Sequence, residues 1–119
     1  MGPLILHTHV EYRGERLQIK RANFTASDAG EATVVAAVSG KRIVVIAIGG
    51  GGGNEFIDLL DGSGGASILS FKTGNNGVVD GFDGTAKCET TAGNGLFVAD
   101  LASAGVTLKG YVRYIEASN

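Results

Sequence analysis

With 119 residues, 44% of them hydrophobic and only 18% charged, the chain is long enough for one domain with a single core, too short for two, and too apolar to remain disordered. A formal charge of −2 supplies no broad attraction for phosphate backbones and argues against nucleic acid as the main partner. Twenty glycines and one proline imply many turns between short strands, so the expected class is all-β.

The opening residues, Met1 to Leu6, lack a basic lead and carry too short an apolar run for a signal peptide, and no window approaches the ~20 apolar residues of a membrane span. Synthesis in a cytosol, with no membrane partner, is the expectation. Leu4 to Val10 reads as a strand or extended arm. His7 and His9 lie on one side of such a strand, compatible with a metal shared around a symmetry axis, although solvated surface histidines are the commoner outcome. Leu17 and Ile19 alternate with Gln18 and Lys20 as in a half-buried strand, and Arg13, Arg16, Lys20 and Arg21 gather nearby. Asn23 to Glu31 turns polar and small, which predicts a joint between an N-terminal arm or first strands, residues 1–30, and a body, residues 31–119.

Ala32 to Ile48 holds two apolar, β-branched runs on either side of Ser39-Gly40-Lys41-Arg42, and predicts a central β-hairpin whose arms are covered on both faces. Gly49 to Gly53 then predicts a flexible loop, or one pressed against another backbone. Further strands are expected at Phe56–Leu60, Ala66–Lys72, Val78–Phe82, Ala86–Thr90 and Leu96–Ala99, separated by Asp-Gly, Gly-Gly and Asn-Gly turn signals. The last run, Val106 to Glu116, places Val106, Leu108, Gly110, Val112 and Tyr114 on one face, with Thr107, Lys109, Tyr111 and Arg113 on the other. No helical period is sustained. These elements predict an antiparallel β-sandwich, jelly-roll-like, with an N-terminal arm; the Cys…Trp…Cys core of an immunoglobulin domain is missing.

Catalytic patterns find little footing. Gly40-Lys41 is followed by Arg42 where a phosphate loop needs Ser or Thr, and Val35 stands where its first glycine belongs. Both histidines lie in the predicted arm, which leaves a Ser/His triad without its base. Asp58, Asp61, Asp80 and Asp83 sit in or beside glycine-rich turns, where turn capping is favoured over calcium binding because no EF-hand spacing is present. Tyr111 with Arg113 and Tyr114 suggests a sugar-stacking surface, with a subunit interface the commoner use of strand tyrosines. Cys88, alone, reads as a small half-buried strand residue. No enzyme activity and no cofactor are expected.

Four stretches in order, Thr33 to Ile43, Ile68-Leu69-Ser70-Phe71-Lys72-Thr73-Gly74, Glu89 to Leu96 and Gly110-Tyr111-Val112-Arg113-Tyr114-Ile115, resemble a widespread group of small tailed-bacteriophage virion proteins. The resemblance implies a β-sandwich or jelly-roll subunit of the particle, often trimeric, acting as a capsid decoration (cement) protein or as a tail or fibre domain. On the cement reading the partner is the major capsid protein and the location is the capsid surface of the virion. Leu4, Leu6, Arg13, Arg16, Lys20 and Arg21 are then candidate capsid contacts, and Val35, Ile46, Tyr111 and Arg113 candidate contacts between subunits of a homotrimer. A tail or fibre module would instead present Gly49–Asn54 and Gly74–Gly77 to a host receptor or glycan. A free-standing lectin-like protein would need an aromatic-lined concave site, and the chain has eight aromatic residues and no tryptophan.

Overall fold

Alternation and β-branching carry through to a structure made of strands. The computed structural model describes residues 8–27, 31–52, 56–73, 77–100 and 107–118, among which there is no helix. Its strands are β1 (His9–Tyr12), β2 (Glu15–Gln18), β3 (Lys20–Ser27), β4 (Glu31–Val35), β5 (Lys41–Gly51), β6 (Phe56–Asp61), β7 (Ser67–Lys72), β8 (Val78–Asp80), β9 (Cys88–Glu89), β10 (Leu96–Asp100) and β11 (Thr107–Ser118).

The antiparallel pairings are nested. β3 pairs with β11, β4 with β10, β5 with β8 and β9, and β6 with β7. Rolling that ladder up brings β11 against β5 and β10 against β6. The result is two sheets, ordered β4-β10-β6-β7 and β3-β11-β5-β8 with β9 also beside β5. This is the jelly-roll sandwich the sequence predicts. Between the sheets, Ile43, Val45, Ile48, Leu108 and Val112 meet Ile57, Leu59, Leu96 and Val98 in the main core.

The run from Ala32 to Ile48 is corrected. Lys41 N–H donates to Val38 O at 3.0 Å, so a tight turn is present, but it feeds a crossing between layers rather than a hairpin. β4 pairs with β10 in one sheet and β5 with β11 in the other. Two apolar strands look the same in sequence whether they pair side by side or face each other across a core. Burial on both faces holds for β5, where Ile43 to Gly49 are all buried, but not for β4.

The polar joint at Asn23 to Glu31 is also corrected for the residues described there. Asn23 to Ser27 belong to β3, with Phe24 and Ala26 turned into the core. The alternation is present in the sequence, but two of its three inward residues, Ala22 and Ala26, are small and weaken it. Gly49 to Gly51 likewise form the end of β5 rather than a loop. On the inner face Phe24 lies over the glycines: a Cβ on Gly110 would meet Phe24 Cζ at 2.5 Å, and one on Gly50 would meet it at 3.8 Å. Aromatic rings from neighbouring strands thus supply the surface that the glycines lack.

Strands β1 and β2 are docked on the body. β1 and β2 form a hairpin turning at Arg13 (φ 51°) and Gly14 (φ 83°), the positive-φ pair of a type I′ turn. Val10, Tyr12, Leu17 and Ile19 cover Val44, Ile46, Ile115 and Ala117 on the outer face of the second sheet. A bulge at Ile46, where Arg113 pairs with Ala47 and Tyr114 with Val45, resets the faces of β5, so that Val45 and Ile48 both reach the main core.

Candidate docking face around Tyr111

Beyond the hairpin, the outer face of the second sheet is built by strand alternation. Tyr111 sits opposite Asn23 of β3 on one side and Gly49 of β5 on the other; Arg113 is level with Arg21, Lys109 with Thr25 and Gly51, and Gly49 with Val79 of β8. Gly49 leaves room for the Tyr111 ring, because a Cβ there would lie 2.6 Å from Cε1 and 2.9 Å from Cζ. The Arg21 guanidinium lies over that ring, 4.3 Å from its centroid, and Arg21 Nε donates to Asn23 Oδ1 at 3.3 Å. Stacking and hydrogen bond together hold a long side chain in one orientation.

An open groove of about 580 Å³ runs beside this stack, lined by Arg21, Lys109, Tyr111, Val78, Val79 and the backbone of Gly50 to Gly52 and Gly77. Val79 is 73% exposed. The two glycine segments meet at one end, where a Cβ on Gly51 would stand 3.3 Å from the Gly77 Cα. The surface is cationic, partly apolar and floored by backbone, and so is suited to receiving anions that arrive on an extended ligand.

The predicted contact residues scatter. Leu4, Leu6 and His7 lie outside the described residues. Arg13 pairs with Glu89 at 3.3 Å and Lys20 with Glu116 at 3.3 Å, Arg16 is exposed on β2, and among the described candidates only Arg21 lines the groove. Val35 and Ile46 are corrected as interface candidates: both are buried by the chain's own side chains, Val35 in the main core and Ile46 under the β1–β2 hairpin. Tyr111 and Arg113 do lie on the outer face, but Tyr114 points into the core, so the Tyr111–Arg113–Tyr114 surface does not form. Asn23 carries no sequence signal for this face, since only the pairing of β3 with β11 brings it beside Tyr111, whereas Gly49 and Gly51 fall within the Gly49–Asn54 segment expected of a receptor-binding module.

The carboxylates act mainly as braces. Asp61 accepts from the Thr91 N–H and hydroxyl at 2.8 and 2.6 Å and from Asn94 Nδ2 at 3.1 Å. Burial works to raise its pKa, but these bonds prevail and the net shift is downward. Asp83 accepts from the Thr85 hydroxyl and N–H, which with Lys87 hold its carboxyl down to about 2. Lys87 also pairs with Asp80 at 2.9 Å. Turn capping is therefore the observed role of Asp61 and Asp83. Among the described residues no three His, Cys, Asp or Glu side chains are grouped to hold a metal ion. His9 is exposed and hydrogen-bonded to Thr8. Cys88 is half-buried against the main core, and burial with the nearby Glu89 charge pushes its thiol up to about 12.

No family model, curated protein or solved structure matches this chain.

Proposed function

We propose that the protein is a structural subunit of a tailed-phage virion, a capsid decoration (cement) protein that binds the assembled head and stabilises it by bridging capsomers. The observation that carries the reading is the divided outer face of the second sheet: half is sealed by the β1–β2 hairpin, and half is left open around Tyr111 with Arg21 and Lys109. The jelly-roll topology and the virion-like strand and turn patterns within residues 32–117 support it. So does the use of Asp61, Asp83 and Glu89 as braces between strands and turns.

On this reading the open face is turned to the major capsid protein, and a homotrimer seats three such faces on the shell. A subunit that binds the assembled state and not the free capsomer stabilises the shell by mass action, with no chemical step. A tail or fibre module is the second reading. It is favoured by one observation, the meeting of Gly51 and Gly77 at one end of the groove, which gathers the two segments a receptor or glycan site would use.

The test is co-sedimentation of the purified protein with undecorated phage heads and, separately, with host cells. Saturable binding to heads that is weakened by Tyr111→Ala is the expected result. Sedimentation with cells alone would overturn the cement reading in favour of the fibre one.

A further inference from the structure

We infer that the groove beside Tyr111 is a recognition site for an acidic, extended peptide segment, with Arg21 and Lys109 receiving its carboxylates. The inference rests on the virion reading in one respect: there, the segment belongs to the shell subunit.

The charge pattern is the first support. Arg13, Lys20, Arg42 and Lys87 each stand within ion-pair distance of a carboxylate of the chain itself. Arg16, Arg21, Lys41, Lys72 and Lys109 hold no carboxylate at that distance among the described residues, and of these Arg21 and Lys109 line one groove together. Arg21 is also oriented in advance. Its guanidinium rests on the Tyr111 ring and Nε is spent on Asn23, which leaves the two terminal nitrogens to face a ligand. That end of a guanidinium matches a carboxylate with two parallel hydrogen bonds, the strong and directional form of the contact.

The shape supplies the second support. Gly50, Gly51 and Gly77 contribute backbone without side chains, so another backbone can approach closely. Exposed Val79, level with Gly49, offers an apolar contact beside the cations. Side chains of an extended peptide alternate, so acidic residues can meet Arg21 and Lys109 while the peptide backbone follows the glycine floor. A sugar fits less well. Arg21 already covers the ring of Tyr111, which also packs against Gly49, so stacking on the covered side would have to displace the guanidinium.

The test titrates the isotope-labelled full chain with a capped hexapeptide of alternating glutamate and threonine, with trigalacturonate as an equally acidic saccharide, and follows backbone amide shifts. Saturable peptide shifts confined to residues 21–23, 49–51, 77–79 and 109–111 are expected. Arg21→Gln should weaken peptide binding by about tenfold or more, the range of a lost charge-assisted pair. Arg16→Gln, an exposed cation on the hairpin, should leave it within about twofold, as for a remote screened charge. Equal loss in both variants, or shifts scattered over the surface, would overturn the site. Tighter binding of trigalacturonate would overturn the peptide as its occupant. A parallel sedimentation of Arg21→Gln with heads separates the two readings: undiminished head binding overturns the shell subunit as the source of the segment and leaves the cement reading standing. Peptide binding without head binding supports the groove and removes the shell.

Discussion

At the scale of single residues, the glycines of β5 and β11 and one buried hydroxyl carry the sharpest consequences. A Cβ on Gly110 would run into the Gly49 carbonyl and the Phe24 ring, and the carbonyl cannot give way without shifting the strand. Gly110→Ala should therefore destabilise the fold by about 2–3 kcal/mol, the usual cost of overpacking. Gly81→Ala, where a Cβ meets nothing within 4 Å, should stay within about 0.5 kcal/mol. Denaturant midpoints of the two variants compare them directly. Thr90 is fully buried, and its hydroxyl accepts from Ile43 N–H at 3.0 Å while donating to Asn94 O at 3.1 Å. Thr90→Val keeps the shape and orphans both partners. A loss of about 1–3 kcal/mol is expected, read from the same unfolding curves.

At the scale of elements, the β1–β2 hairpin is a cover held by polar links at two places. Glu89 accepts from the Tyr12 hydroxyl at 2.9 Å and pairs with Arg13, and Glu15 accepts from the Ser118 N–H and hydroxyl at 2.9 and 2.8 Å. Under it, Leu17 is half-buried rather than sealed, so Leu17→Ala should cost about 1–2 kcal/mol, below the value for a fully buried side chain. Hydrogen exchange should show the hairpin opening more readily than β5 and β11, and more readily still in that variant. The segment from Asp80 to Lys87 has its own clamp. The Asp83 carboxyl, held to about 2 against an ordinary 3.8, favours the folded segment above the unfolded value and loses that contribution as pH falls toward the folded one. The Thr85 amide shift should therefore titrate with a midpoint near about 2, and a midpoint at the ordinary carboxylate value would show that the clamp is not formed.

At the scale of the whole molecule, the nested pairing sets the kinetics. β3 joins β11 near the two ends of the described chain, with Lys20 level with Tyr114, so the sheet closes only after distant segments meet. Folding on the order of milliseconds to seconds is expected, as for other sandwiches rich in non-local pairs, and stopped-flow refolding measures it. Microsecond folding would mean that local hairpins dominate the transition state. Within β3, Phe24 is the one large apolar residue, flanked by Ala22 and Ala26, yet the pairing of this strand with β11 is what brings Arg21 to Tyr111.

Much of this architecture was legible in the residues because it depends on local chemistry. Alternation placed Leu108, Val112 and Tyr114 on the core side of the last strand, the long apolar run of β5 marked a strand buried on both faces, and Asp and Asn beside glycine marked turns. These signals are intrinsic to a segment, since period and turn preference do not depend on the neighbour. The partner of β4, the strand state of Gly49 to Gly51 and the gathering of Arg21, Lys109 and Tyr111 around one groove were decided only by the tertiary structure. Glycine has no side chain with which to announce its role, and β4 and β5 carry no local mark that assigns them to different layers. Long-range pairing supplied both, by bringing the rings of Phe24 and Tyr111 over bare backbone.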